Sequence, residues 1–227
     1  PMRGVELDGV FRIRNIDDGI KVQNAMKDAK SAIVTGAGLI GIEIAFALKK
    51  RGLNVILSEM LPQIVPRSLD KDMSDILVKY LEKEGIQVVL GKPITKLIGE
   101  GKVEKACFGD EDIYDADMVI MATGVRAELD LARMAGCEIG RWAILVNDRM
   151  ETSVEDVYAV GDCVESKDLI LGSNTISQLG TTAVRESKTL ARTICGKKSK
   201  FNPVLNSMVS KVGKLEFGAV GYTTSFA

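Results

Sequence analysis

The sequence predicts an α/β protein: a parallel sheet interrupted by an antiparallel meander, then a second, partial α/β segment. Three observations predict it. Residues 32–59 read AIVTGAGLIGIEIAFALKKRGLNVILSE, an apolar run, a glycine turn, an amphipathic helix and a second apolar run in that order. Further on, a helical stretch, a short strand and a hairpin signal lead to the buried run Met118 to Met121. Beyond Gly124 the rhythm changes to short strands, polar loops and one long helix.

The first stretch carries the chemistry. Gly36-x-Gly38-x-x-Gly41 joins the strand to the helix, and each glycine has a task. Gly36 permits the tight turn out of the strand, Gly38 lets backbone approach a pyrophosphate with no Cβ in the way, and Gly41 lets helix and strand pack closely. The first helical turn points unpaired N–H groups and the positive dipole end at phosphates, so no basic side chain is needed. Glu59 ends the second strand, 23 positions after Gly36, against about 20 for the acid that accepts a ribose 2′-OH. A carboxylate there repels a 2′-phosphate and so favours NAD(H) over NADP(H). Arg67, a few residues on and directly after Pro66 in a proline-bounded loop, is placed to soften that preference. Together these parts predict a Rossmann-like dinucleotide site. The competing reading is an ordinary βαβ crossover whose glycines serve packing only.

The other elements follow from period and punctuation. Residues 10–16 (VFRIRNI) read as a strand, and Asp17 or Asp18 is positioned to cap a helix running to about Lys30. Asp70 to Glu84 reads as an amphipathic helix with Ile76, Leu77, Tyr80 and Leu81 on its apolar side, stopped by Gly85. Ile86 to Leu90 is a short strand. Thr95 to Ile98 and Val103 to Phe108 flank a GEGK turn, and Ile113-Tyr114 adds a third short strand. In the second part, Ala143 to Val146 and Val157 to Val160 read as strands, and Met150 to Ser153 as a turn. A mostly polar loop then leads to Gly180-Thr181-Thr182, which opens a helix over about Ala183 to Cys195. Val209 to Val220 shows strand-like alternation.

Composition bounds the function. The 227 residues can hold one large or two modest domains. The apolar share of 46% and charged share of 27% are those of a globular protein. A formal net charge of −1 offers no general attraction to nucleic acid or to anionic lipid. Neither a membrane-length apolar run nor a secretory signal is read, so a cytoplasmic protein is expected. Cys107, Cys137, Cys163 and Cys195 form no CxxC pair, which leaves neither a zinc spacing nor a redox dithiol; no metal site is expected. The chain contains no histidine, which excludes a Ser-His triad or a histidine base within it. No catalytic side chain is therefore assigned, and any chemistry falls to a cofactor or to groups supplied elsewhere.

Five segments resemble the FAD-dependent pyridine nucleotide–disulfide oxidoreductases, above all the NADH oxidase and coenzyme A disulfide reductase branch. They are GAGLIGIEIA (36–45), ILSEMLPQIVPRSLD (56–70), DMVIMATGVR (117–126), TSVEDVYAVGDC (152–163) and QLGTTAVRE (178–186). The resemblance implies that Gly36, Gly38, Leu39, Ile40 and Gly41 line the NAD site and that Glu43 sits near the nicotinamide. It puts Glu59 and Met60 at the adenosine ribose, with Ala122, Thr123 and Gly124 flanking the cofactor. Gly161 and Asp162 match a second flavin signature, in which the acid meets the flavin ribityl and phosphate region. Gly180, Thr181 and Thr182 match the helix N-terminus beneath the flavin ring, where a positive dipole end stabilises negative charge. As packing alone, Glu43 is a solvated helix residue, Asp162 a turn residue and Thr181 or Thr182 an N-cap.

The resemblance also sets out a domain plan: residues 1–14 link from a flavin domain, 15–124 bind NAD(H), 125–203 are the C-terminal segment of the FAD domain, and 204–227 begin a dimerisation domain. By that plan the first flavin fingerprint and its redox cysteine belong to a preceding half, so the FAD site is incomplete in this chain, which alone is expected to be inactive. The full-length protein is expected to be a homodimer. Leu39 stands where some relatives place an aromatic gate over the flavin, and Ala127-Glu128 replaces a frequent Pro-Asn. The expected function is the NAD(H)-binding portion of an enzyme passing hydride from NADH to flavin and on to oxygen, a disulfide or a persulfide. The alternatives are a stand-alone NAD(H)-binding regulatory module without catalysis and a flavin-free relic that binds neither nucleotide.

Overall fold

The computed structural model describes residues 2–109 and 112–227; Pro1, where the expected link segment begins, lies outside the described residues. The chain forms two compact units. One runs to Gly124 and takes in Val209–Phe217 and Tyr222–Ala227; the other comprises Val125–Met208 and Gly218–Gly221.

The first unit opens with β1 (Val10–Phe11) and α1 (Ile16–Ala25), followed by β2 (Ser31–Thr35), α2 (Leu39–Lys50), β3 (Asn54–Glu59), α3 (Lys71–Lys83) and β4 (Ile86–Leu90). A meander of β5 (Ile94–Ile98), β6 (Lys105–Phe108) and β7 (Asp112–Asp115) precedes the return strand β8 (Met118–Met121). Five strands make one sheet in the order β1-β8-β2-β3-β4, and every neighbouring pair is parallel. The meander is a separate antiparallel sheet, β5-β6-β7. Its Leu97, Ala106 and Phe108 share a buried cluster with Ile33 and Val119 of the parallel sheet. Parallel strands buried on both faces need continuous apolar runs, and Ala32, Ile33, Val34, Val119 and Ile120 are all essentially inaccessible. Asp117 fixes the start of β8 against β2, its carboxylate accepting from the Lys30 and Ser31 N–H groups and from Ser31 Oγ. Those hydrogen bonds outweigh a desolvation cost that acts the other way, and the Asp117 carboxyl stays below the usual carboxylate range.

The second unit contains α4 (Asp130–Met134), β9 (Ile144–Leu145), β10 (Val164–Lys167), β11 (Asn174–Ile176) and α5 (Gly180–Ile194). Its sheet, β11-β10-β9, is mixed: β10 runs parallel to β9 and antiparallel to β11. A two-stranded sheet of β12 (Met208–Val212) and β13 (Leu215–Ala219) ends the regular structure.

Several local expectations are corrected. The expected strand over 10–16 is only two residues long, because Asn15 caps α1: its side chain accepts from Asp18 N–H, and the Asp18 carboxylate accepts from Asn15 N–H. Neither Asp17 nor Asp18 is the cap, and α1 ends at Ala25 rather than near Lys30. Ile76 points outward at 53% exposure, and the buried side of α3 instead takes Ser74, Leu77 and Leu81. Val157 to Val160 is extended but contributes only one bridge, Glu151 to Tyr158. The strand of this region is β10, which the sequence pattern gives as loop.

Candidate functional site

At the carboxyl end of the parallel sheet, β2 and β8 lie side by side although the chain runs from β2 to β3 in one direction and returns to β8 on the other. In open α/β sheets such a reversal leaves a crevice for ligand. The Gly36–Gly41 turn fills this position. Gly36 has φ +97°, and its N–H donates to Ser58 O at 2.8 Å. Ala122 N–H donates to Thr35 O at 2.8 Å, which brings the segment after β8 against the turn.

The three glycines differ in what requires them. A Cβ on Gly36 would lie 2.4 Å from Ala122 O, and one on Gly41 only 1.8 Å from Gly36 O. Protein packing alone demands glycine at both. At Gly38 the backbone is extended (φ −75°, ψ −177°), a shape any residue adopts, and an added Cβ would meet no protein atom within 4 Å. Nothing in the fold requires glycine there. Gly38 is also the N-cap of α2, and no side chain caps that helix end. The orphan N–H groups of its first turn therefore face an open cradle, as anion sites on helices do.

The strand-end acid closes the other wall. Glu59 Oε2 accepts from Ala37 N–H at 2.9 Å and Oε1 from Leu61 N–H at 3.0 Å, so the carboxylate ties the glycine turn to the loop after β3. That loop returns to the turn as well, with Val65 N–H donating to Ala37 O at 2.9 Å. Met60 and Arg67 project from it into solvent, Met60 at 65% exposure. Ile40, Thr123 and Gly124 are exposed, while Leu39 and Ala122 are half-buried. Glu43, on the outer side of α2, accepts from Ser210 Oγ at 2.8 Å. Its carboxylate is thus engaged by β12, beyond the solvated role that packing alone suggests. A separate cavity of about 220 Å³ opens at the β1 edge among Phe11, Arg12, Asp18, Lys21 and Met121; none of the expected cofactor residues lines it.

The second unit has a glycine turn of its own. Gly161 has φ +87°, and its N–H donates at 2.7 Å to Oε2 of Glu186 on α5. Ser166 Oγ donates to Glu186 Oε1 at 2.7 Å. Glu186 is 1% exposed, and burial pushes its carboxyl above the usual range. The Cys163 thiol is likewise pushed up, mainly by burial and further by Glu186 and Asp162. Asp162 itself is exposed. The helix beginning expected near Ala183 lies at Gly180, so Gly180, Thr181 and Thr182 form its first turn. The N-cap is Leu179 with no side-chain bond, so neither threonine caps the helix; Thr182 Oγ1 is hydrogen-bonded to Ser177 Oγ at 2.9 Å.

Glu186 falls within the segment 178–186, where the resemblance implies no role for it. The signal was available: Thr182, Glu186, Thr189 and Thr193 recur at helical spacing and form the buried stripe of α5, a polar stripe where an apolar one is usual. Among the described residues, no cluster of three or more His, Cys, Asp or Glu side chains is arranged to hold a metal ion, and all four cysteines are free thiols.

Comparison with known proteins identifies the family. The profile of the family described as pyridine nucleotide-disulphide oxidoreductase matches residues 1–187. An NADH oxidase of Methanocaldococcus jannaschii is 53% identical over 225 residues, 98% of this chain and 50% of that protein. The structure of an NAD-dependent persulfide reductase from A. fulgidus superposes over 100% of this chain and 42% of its own, with TM-score 0.97 and 32% identity. A FAD-dependent pyridine nucleotide-disulphide oxidoreductase from Desulfovibrio vulgaris superposes over 99% of this chain and 58% of its own, with TM-score 0.91 and 33% identity. The chain spans about half the length of the curated relatives it matches. A profile match over residues 1–187, most of the chain, makes it a member of the pyridine nucleotide-disulphide oxidoreductase family.

Proposed function

We propose that this chain binds NAD(H) at the Gly36–Gly41 turn, as the electron-donor portion of an NADH-dependent FAD oxidoreductase. The observation that carries the reading is Gly38. Packing explains the other two glycines of the turn, while at Gly38 the space a side chain would fill lies open beside the uncapped end of α2, which supports a ligand there. The uncapped first turn of α2 fits a pyrophosphate, with Leu39, Ile40 and Gly41 supplying N–H groups. Glu59 fits a ribose diol, because a carboxylate already held by two backbone N–H groups keeps further acceptor capacity. Its charge opposes a 2′-phosphate and favours NADH. Met60 and Arg67 border the adenosine side, Ala122, Thr123 and Gly124 border the return strand, and Glu43 stands toward the nicotinamide end.

Gly161, Asp162, Gly180, Thr181 and Thr182 are assigned to FAD. The second uncapped helix end supports this, as does the open space beside Gly180, where an added Cβ would meet nothing within 4 Å. With both cofactors held by these residues, the pair would supply hydride-transfer chemistry from NADH to the flavin, with oxygen or a disulfide or persulfide as the acceptor. The protein's part is to bind and orient them and to keep water from the transfer. Relatives named NADH oxidase and persulfide reductase support that choice of acceptors. On this reading residues 1–14 are a link, 15–124 the NAD(H) domain, 125–203 a segment of the FAD domain and 204–227 the start of a dimerisation domain. The whole protein is a cytoplasmic homodimer. No helix among the described residues is long and apolar enough to cross a membrane.

Titration of the chain with NADH, followed by nucleotide fluorescence, is expected to saturate. Gly38→Leu is expected to weaken binding by at least about a hundredfold, because its side chain occupies the phosphate cradle, while the thermal midpoint stays within a few degrees of wild type. Equal affinity in wild type and Gly38→Leu would overturn the reading.

A further inference from the structure

The loop between β3 and α3 is built on a strained residue. Val65 has φ +46°, a conformation that β-branched side chains rarely adopt, and such strain persists only where surroundings over-determine it. Ile64 and Val65 are buried, and Val65 O accepts from Ser68 and Leu69 N–H while its own N–H reaches Ala37. Ser74 on α3 holds Ile64 from both sides, Oγ accepting from Ile64 N–H at 3.1 Å and donating to Ile64 O at 3.0 Å. Gln63 Nε2 donates to Leu69 O at 2.9 Å. At the far end of this loop stands Asp70, the N-cap of α3.

Asp70 does not cap its own helix. Its Oδ1 accepts instead from Thr224 N–H at 2.7 Å, and its Oδ2 from Thr224 Oγ1 at 3.2 Å. Two further contacts from the same C-terminal stretch reach the helices on either side of the loop. Ser210 Oγ binds Glu43 on α2, and Lys214 N–H donates at 2.9 Å to Tyr80 Oη on α3. Tyr222 and Phe226 stack at 4.3 Å around the Thr224 contact. An aspartate that gives up its capping role for a partner 154 positions away marks a tie between segments.

We infer that the C-terminal stretch through Thr224 is a strap that positions the Met60–Asp70 nucleotide loop, with Asp70 as the positioning residue. The strap fixes the end of the loop opposite the glycine turn, so the Val65 kink, and with it Glu59, Met60 and Arg67, is held in one arrangement before ligand arrives. Its effect on nucleotide affinity rests on the proposed NAD(H) reading; its effect on the loop does not.

Two variants break the tie from opposite sides. Thr224→Pro removes both donors without touching the loop, and Asp70→Ser keeps a helix-capping side chain but is too short to hold Thr224. Each is expected to speed amide exchange at Val65, Ser68 and Leu69 about tenfold, the loss of two hydrogen bonds to a carboxylate near the surface, with β2 and β3 amides unchanged. NADH affinity should fall about three- to tenfold in each, and the double variant should match the singles, as for one shared contact. Unchanged loop exchange in both single variants, or equal acceleration in β2 and β3, would overturn the strap. Failure of the wild-type chain to bind NADH would overturn the functional reading instead, and the exchange comparison would still decide the strap.

Discussion

The two units each pin a glycine turn with a glutamate carboxylate, and the contrast between them shows how differently the two carboxylates are held. In the first unit Glu59 accepts from Ala37 N–H and Leu61 N–H at the rim of the site, partly open to solvent. In the second, Glu186 accepts from Gly161 N–H and Ser166 Oγ while 1% exposed. A rim carboxylate has acceptor capacity left for a ligand; an enclosed one is spent on the fold. The glycines differ in the same sense. The first turn is limited by contact as well as backbone shape, since Gly36 has φ +97° and Gly41 has no room for any Cβ. The second is limited by backbone shape alone, since an added Cβ on Gly161 would sit 3.7 Å from Ala183 Cβ, an ordinary contact.

The largest effect expected from this contrast is at Gly41. Gly41→Ala forces the turn and α2 apart and should destabilise the first unit by about 3 kcal/mol, the upper end of overpacking costs, as read from chemical unfolding by circular dichroism. A loss below about 1 kcal/mol would mean that helix and strand separate easily, and the distinction between the turns would fail. Next comes Glu186. Glu186→Ala leaves one buried donor, Ser166 Oγ, and one half-buried donor, Gly161 N–H, without an acceptor and should cost about 2 kcal/mol, whereas Glu186→Gln keeps most of the hydrogen bonding and costs less.

Protonation sharpens the Glu186 case further. Burial holds the Glu186 carboxyl above its ordinary range, so in the window between the unfolded and folded values the folded state binds the proton and the unfolded state does not. The contribution of Glu186 to stability is therefore greatest below the ordinary glutamate value and declines as pH rises through the raised one. Arg185 opposes this shift while Asp162 reinforces it. Urea unfolding at pH 5 and pH 8, followed by the chain's single tryptophan, Trp142, reports on the second unit. Wild type should lose midpoint toward pH 8 and Glu186→Gln should not; parallel slopes in the two proteins would remove the carboxylate as the cause.

The sequence was easiest to read where burial and local pattern agree. β2, β3 and β8 are apolar runs because parallel strands bury both faces, and the glycine turn follows its strand as the fingerprint requires. Reading failed where polar residues are buried by long-range partners. Glu165 lies in β10 because its carboxylate accepts from Trp142 and Ala143 N–H, and Ser166 because Glu186 waits for it. No local window contains those partners. The converse error, at Val157 to Val160, has the same root: an apolar run makes a strand only when a neighbouring strand offers a full ladder, and this one meets a single bridge. At the glycine turn, the fingerprint named the glycines, but the crowding at Gly36 depends on Ala122, which is distant in sequence.

The position of β8 has a kinetic consequence. It is a central strand, flanked by β1 and β2, yet it joins them only after the chain has passed through α2, α3 and the whole meander; Ser31 and Asp117, which fasten it, are 86 positions apart. Pairings of such separation form slowly and late. The segment after β8 is also what closes on Gly36, so the cradle at the Gly36–Gly41 turn is completed by one of the last events of folding rather than one of the first. A ligand that recognises the finished cradle acts after the folding barrier. Bound nucleotide should thus leave the refolding rate alone and lengthen the lifetime of the folded state.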